Sequence, residues 1–234
     1  MAVISYNDVC IKHPDGDEVL SGVTFEVSEG EIVYLTGKVG SGKTSLLKTL
    51  YGEMSIYSGS ATVLDTDMLR LRRHQIPALR RQLGIVFQDF KLLTDRTVAH
   101  NLDFVLRATG WNDRDRRNER IDEVLKTVGL AAMRDVMPYR LSSGEQQRVS
   151  IARAMLNSPR LILADEATGN QDIEATLRTV QLLQQLADNG AAVVMSTHNA
   201  QIINQFPGTV LHLADHRLQQ IEMSGEVPEA VLAE

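Results

Sequence analysis

Residues 31–44 read Glu31-Ile32-Val33-Tyr34-Leu35-Thr36-Gly37-Lys38-Val39-Gly40-Ser41-Gly42-Lys43-Thr44. An unbroken apolar run ends in glycines, and the glycines end in a lysine and a hydroxyl. The run is strand length, and the residues after it, 44–50, carry the spacing of a helix. Strand, glycine turn and helix in this order form a phosphate loop with the pattern G-x4-G-K-[ST]. Glycines allow successive backbone N–H groups to turn toward a polyphosphate. The helix that follows aims its positive end at the same charge. Gly37, Lys38, Val39, Gly40, Ser41, Gly42, Lys43, Thr44 and Ser45 are therefore the expected nucleotide-phosphate contacts. Lys43 is expected at the β and γ phosphates, and the Thr44 hydroxyl is a candidate Mg²⁺ ligand.

Working outward, three more apolar runs repeat the strand pattern: 84–87 (GIVF), 161–164 (LILA) and 191–196 (AAVVMS). None alternates with polar residues, which is the signature of strands buried on both faces of a parallel sheet. Each runs into polar residues: Gln88, the pair Asp165-Glu166, and Thr197-His198. Ligands in open α/β sheets bind beyond the carboxyl ends of the strands, so these residues join the candidate site. Asp165 is positioned to hold Mg²⁺, and Glu166 to act as general base on an attacking water.

The first thirty residues differ. Runs 3–6, 9–12 and 23–27, broken by the turn 14–17 (PDGD), suggest a small antiparallel sheet beside the parallel one. Between 88 and 159 the pattern is mostly helical, with helices expected at 98–108, 113–128 and 143–157. The chain therefore reads as a single domain, 1–234, carrying a helical insert at roughly 88–159. The acidic tail, 224–234, is expected to fray.

Composition narrows the class. The 234 residues carry 24 Lys+Arg against 30 Asp+Glu, a net charge of −6, which argues against direct nucleic-acid binding. One cysteine, Cys10, permits no internal disulfide and points to a reducing compartment. No secretory leader and no membrane-spanning run is legible, so any membrane role must pass through a partner. Arg70, Arg72, Arg73, Arg80 and Arg81 cluster around His74 and read as a solvated helix face or as a surface for anionic lipid headgroups. The mixed charges of 113–120 read as a solvent-exposed helix.

Leu141-Ser142-Ser143-Gly144-Glu145-Gln146-Gln147-Arg148 resembles the signature of the ATP-binding-cassette (ABC) ATPases. Ser142 is a plausible N-cap for the helix that follows. The resemblance implies an α/β cassette with a mainly parallel core sheet, an N-terminal antiparallel β-subdomain and an inserted helical subdomain. It implies ATP and Mg²⁺ as ligands and ATP hydrolysis as the activity. It implies a homodimer in which Ser142, Ser143, Gly144 and Glu145 read the ATP held by the other subunit.

By the same resemblance Gln88 is the Q-loop glutamine, which senses Mg²⁺ or water. Asp172, after Gly169-Asn170-Gln171, is the D-loop acid, and His198 is the switch histidine at the γ-phosphate. His13 stands where the family stacks an aromatic on adenine, with Tyr6 as the alternative. Ser143 and Glu145 depart from the commonest signature residues. Glu145 would repel phosphate if it faced it, and would suit the helix dipole if it lay along the helix start.

Residues 87–98 with Asn101, and 163–170 (LADEATGN), resemble the FtsE branch of cell-division ATPases. Ala167 and Gln171 depart from that branch's usual Pro and Leu. The ATPases of lipoprotein release and macrolide efflux share Gly169-Asn170 and the GEQQR run and are the alternative. The resemblance implies an FtsX-like polytopic membrane partner, a peripheral position on the cytoplasmic face of the inner membrane, and control of cell-wall hydrolysis. The coupling surface is expected near residues 88–101.

Overall fold

The computed structural model describes residues 1–168 and 172–221. Two sheets carry the architecture. The larger has six strands in the order β10-β9-β3-β8-β7-β6. Its members are β3 (Ile32–Thr36), β6 (Leu83–Val86), β7 (Leu161–Ala164), β8 (Ala192–Ser196), β9 (Thr209–Ala214) and β10 (Arg217–Ile221). All neighbours run parallel except the β9–β10 hairpin.

The apolar strands are explained by what lies on each face. Ile32 and Tyr34 of β3, Ile162 and Ala164 of β7, and Val193 and Met195 of β8 enter one hydrophobic core. Val33 and Leu35, Leu161 and Leu163, and Ala192 and Val194 enter a second. Alternate side chains point to opposite faces, and both faces are covered, so neither set can be polar.

The second core is shared with the smaller sheet, ordered β2-β1-β4-β5: β1 (Ala2–Lys12), β2 (Glu18–Ser28), β4 (Ser58–Val63) and β5 (Thr66–Asp67). The first strand is continuous rather than two runs. Asp8, at φ 52°, marks the irregularity that splits its sequence pattern in two. The sheet also recruits β4 and β5 from beyond residue 30. Their sequences, SGSATV and TD, carry no apolar run to announce them.

Helix α1 (Lys43–Leu50) follows the phosphate loop, and α2 (Ile76–Arg80) is a short turn before β6. Helices α3 (Val98–Ala108), α4 (Arg114–Thr127) and α5 (Ser143–Met155) lie between β6 and β7. Helices α6 (Ile173–Asp188) and α7 (Ala200–Gln205) follow β7 and β8.

Two charged segments differ from expectation. The arginines at 70–81 do not share a helix face, because only 76–80 are helical. Arg70 pairs with Asp67 at 3.6 Å, and Arg80 donates to Tyr51 O at 2.9 Å. The arginines of α4 are not all solvated. Arg117, with its side chain 12% exposed, donates to Asp103 Oδ1 at 2.6 Å and ties α4 to α3. Arg120 donates to Met155 O and Leu156 O and ties α4 to the end of α5. Charge pattern alone does not show which arginines reach buried carbonyls.

Candidate active site

The phosphate loop leaves β3 at Gly37, whose φ is 135°. A side chain there would sit 2.3 Å from Leu213 O, so only glycine fits. Gly42, at φ 101°, caps α1 without a side-chain bond, leaving the first N–H groups of the helix directed at the loop. Lys43 folds back over the turn. Its Nζ donates to Gly37 O at 2.6 Å and Lys38 O at 2.9 Å, and the residue is only 6% exposed. Burial pushes its ammonium pKa below the ordinary lysine value, against the pull of Glu166 and Asp165. Ser41 Oγ is buried with no hydrogen-bond partner among the described residues, and a phosphate oxygen is the partner its loop geometry suits.

The acids sit one strand away. Asp165 N donates to Val86 O, holding the end of β7 against β6. Thr44 Oγ1 donates to Asp165 Oδ1 at 3.3 Å, joining the end of the phosphate loop to the first acid. Ser196, at the end of β8 and fully buried, donates its hydroxyl to Asp165 Oδ1 at 2.8 Å and accepts from Glu166 N at 2.8 Å. One hydroxyl thus orders both acids. Glu166 needs that hold, because its φ of 45° is left-handed, a conformation that costs a non-glycine residue about 1–2 kcal/mol. Ser196 is the site residue that the sequence reading passes over. Its only signal is its place as the last residue of a buried strand.

His198 Nε2 lies 3.5 Å from Glu166 Oε1, and this buried atom has no hydrogen-bond partner among the described residues. The two side chains line a cleft of about 420 Å³ with Thr168, Thr197 and Asn199. Gln88 is exposed, two residues beyond β6. The parallel register Val86↔Ala164 sets it level with Glu166. Thr44, Asp165 and Gln88 offer hydroxyl, carboxylate and amide oxygens, the donor set that suits Mg²⁺.

The signature turn begins α5. Ser142 is its N-cap and Glu145 closes a capping box: the carboxylate accepts from Ser142 N and Ser142 Oγ, both at 2.8 Å. The acid lies along the helix start, and these bonds hold its pKa below the usual carboxylate range. With Ser143, Gly144, Asp172 and Arg178 it lines a separate hollow. Asp172 caps α6 by accepting from Ala175 N at 2.7 Å. Gly169, Asn170 and Gln171 lie outside the described residues, as does the tail at 224–234.

His13 is exposed in the turn after β1, with its backbone bonded to Asp17. Tyr6 is 1% exposed and its hydroxyl meets Thr49 Oγ1 at 3.0 Å, so it is core and closed to a base. In one chain the structure gathers Lys43, Thr44, Asp165, Glu166 and His198 at one sheet edge. The signature residues form their own surface.

Residues 20–169 match the ABC transporter family. The chain belongs to the ABC transporter family. It is an ATP-binding, ATP-hydrolysing cassette, similar over nearly its whole length to proteins named cell division ATP-binding protein FtsE. The relative from Streptococcus pneumoniae serotype 2 is 38% identical over 226 residues, 97% of this chain and 98% of that one. The Bacillus subtilis relative is 36% identical over 224 residues, covering 96% and 98%. The Escherichia coli K12 relative is 38% identical over 216 residues, covering 92% and 97%. Among solved structures, the dimeric cassette MJ0796 bound to ADP and Pi superposes with a TM-score of 0.84 at 29% identity, over 95% of this chain and 99% of that one. No helix among the described residues of this ABC cassette is long and apolar enough to cross a membrane.

Proposed function

We propose that this cassette is the ATPase of an FtsEX-like cell-division complex, in which ATP-driven closure of a homodimer moves a polytopic membrane partner that regulates cell-wall hydrolysis. The observation that carries it is the likeness to FtsE relatives over 92–97% of the chain, with Lys43, Thr44, Asp165, Glu166 and His198 gathered at one sheet edge. ATP lies along residues Gly37 to Ser45, with adenine against His13, and the signature residues of the other subunit close over its phosphates. Glu166 accepts a proton from a water whose oxygen attacks the γ-phosphorus, and the bond to the β–γ bridging oxygen breaks to leave ADP and phosphate. His198 steadies the γ-phosphate and Gln88 orients the water. Thr44, Asp165 and Gln88 hold Mg²⁺, which when bound neutralises phosphate charge.

The coupling surface is the helical insert near residues 88–101, and the chain sits on the cytoplasmic face of the inner membrane through its partner. The test is a tagged Glu166→Gln protein solubilised from native membranes with ATP present. Recovery of one polytopic membrane protein with a cell-wall hydrolase is expected. Recovery of lipoprotein-release or efflux components would overturn the cell-division assignment. Recovery of no membrane protein at all would overturn the membrane coupling.

A further inference from the structure

Between Gln88 and α3 the chain makes an unusual turn. Phe90 and Lys91 are successive non-glycine residues with φ of 59° and 50°. Left-handed backbone at two such positions persists only where neighbouring groups hold it. The group that holds it comes from α5. Arg153 Nη1 donates to Lys91 O at 2.7 Å. Its guanidinium lies 5.8 Å from the centre of the Phe87 ring. Its Nη2 donates to the buried Ser150 Oγ at 3.0 Å, which fixes the rotamer one turn back on the same helix. Lys91 in turn pairs with Asp89 at 2.6 Å. The residues on either side of Gln88 are thus held by one side chain.

We infer that Arg153 is a positioning residue, which fixes the backbone flanking Gln88 to the helix that begins at the signature turn. The same rigid element carries Ser142 at its N-cap and Arg153 in its last turn. A helix of thirteen residues spans about 20 Å and moves as a rod. Displacement of the signature turn therefore displaces Lys91 O, and with it Gln88. The guanidinium suits this task because it is planar and can stack and donate at once, whereas an ammonium donates from a point. Burial pushes the Arg153 pKa down to about 10, with Asp89 opposing, so the charge is held at neutral pH in a desolvated site.

The catalytic consequence rests on the proposed role of Gln88, and the experiment separates the two. Hydrogen exchange of the full-length protein reads the tie directly. In Arg153→Gln the amides of 89–93 are expected to exchange at least about tenfold faster, and exchange at 142–146 is expected to be unchanged. Steady-state kinetics reads the consequence. Arg153→Gln is expected to lower kcat about tenfold with KM for ATP within about twofold, and Arg153→Lys to recover part of the loss. Combining Arg153→Gln with Gln88→Ala is expected to cost no more than Gln88→Ala alone, because a residue that acts through another is non-additive with it.

Unchanged exchange at 89–93 in folded Arg153→Gln would overturn the tie, and full additivity of the two losses would overturn action through Gln88. Wild-type kcat in Gln88→Ala would instead fail the proposed role of Gln88. Should Arg153→Gln not fold, Phe87→Leu removes the ring that packs on the guanidinium and leaves the charge itself in place. It is expected to speed exchange at 89–93 in the same direction, and unchanged exchange there would equally overturn the tie.

Discussion

Ser196 donates its hydroxyl hydrogen to Asp165 across 2.8 Å, from the end of the neighbouring strand. The same oxygen accepts from the N–H of Glu166, so a residue with no chemistry of its own sets the attitude of both acids. Ser196→Ala leaves that N–H without its acceptor beside a backbone already at φ 45°. The expected cost is about 1–3 kcal/mol of stability, the penalty of an orphaned part-buried donor. Because Glu166 is then free to leave its left-handed conformation, kcat should fall about tenfold or more while ATP still binds. Chemical denaturation and single-turnover hydrolysis check the two halves. A variant of normal stability and normal kcat would show that the strand ladder alone holds Glu166.

Glu145 brings a negative charge to the turn proposed to face the other subunit's ATP, and the capping box keeps that charge aimed at Ser142. Glutamine also closes a capping box, so Glu145→Gln should change thermal stability by less than about 1 kcal/mol. It should strengthen ATP-dependent dimerisation a few-fold by removing repulsion, an effect that shrinks as salt screens it. Sedimentation in a Glu166→Gln background, at low and high salt, measures this. Weaker dimerisation in the variant would mean that the carboxylate aids closure.

Much of this site is legible in the sequence because backbone chemistry dictates it. Gly37 cannot be replaced without striking Leu213 O, so the loop advertises itself. The four apolar runs are legible because two cores demand it. Ser196, Arg153 and Arg120 are not legible, since their roles depend on partners 31, 62 and 35 residues away. The extra strands β4 and β5 escape for another reason. The pairing of β4 with β1, and of β5 with β4, is read by backbone groups that every residue carries.

His212 lies under the phosphate loop, its Nδ1 3.0 Å from the hydroxyl of Thr36 on β3. Burial, with the nearby Lys43 charge adding to it, lowers its pKa below the ordinary 6.5. Below that ordinary value the unfolded chain takes up a proton that the folded chain resists. Stability therefore falls as pH drops through the interval between 6.5 and the lowered value, and is fully present above it. His212→Gln keeps a partner for Thr36 and does not titrate. Its melting temperature should fall less than that of the parent between about pH 7 and about pH 5. Equal losses in both proteins would place the acid sensitivity elsewhere.

Asn101, 3% exposed on α3, accepts from Leu93 N at 2.7 Å and shares its amide hydrogens among Leu93 O, Arg96 O and Thr97 O. One side chain thereby supplies the loop 93–97 with the hydrogen bonds that a sheet or helix would otherwise give. The loop carries the part-exposed Leu93 and Arg96, whose guanidinium lies 5.5 Å from the exposed Phe104 ring. Asn101→Ala should cost about 2–3 kcal/mol, because a part-buried N–H and three carbonyls lose a partner together. Asn101→Asp separates the two halves of the staple. It keeps the acceptor for Leu93 N but turns a charge toward three carbonyls, so it should be less stable than Asn101→Ala at neutral pH and recover as acid protonates the carboxyl. Urea unfolding of both variants at two pH values, with proteolysis mapped to 93–97, reads the result. An aspartate variant as stable as the parent at neutral pH would show that the donor half contributes nothing.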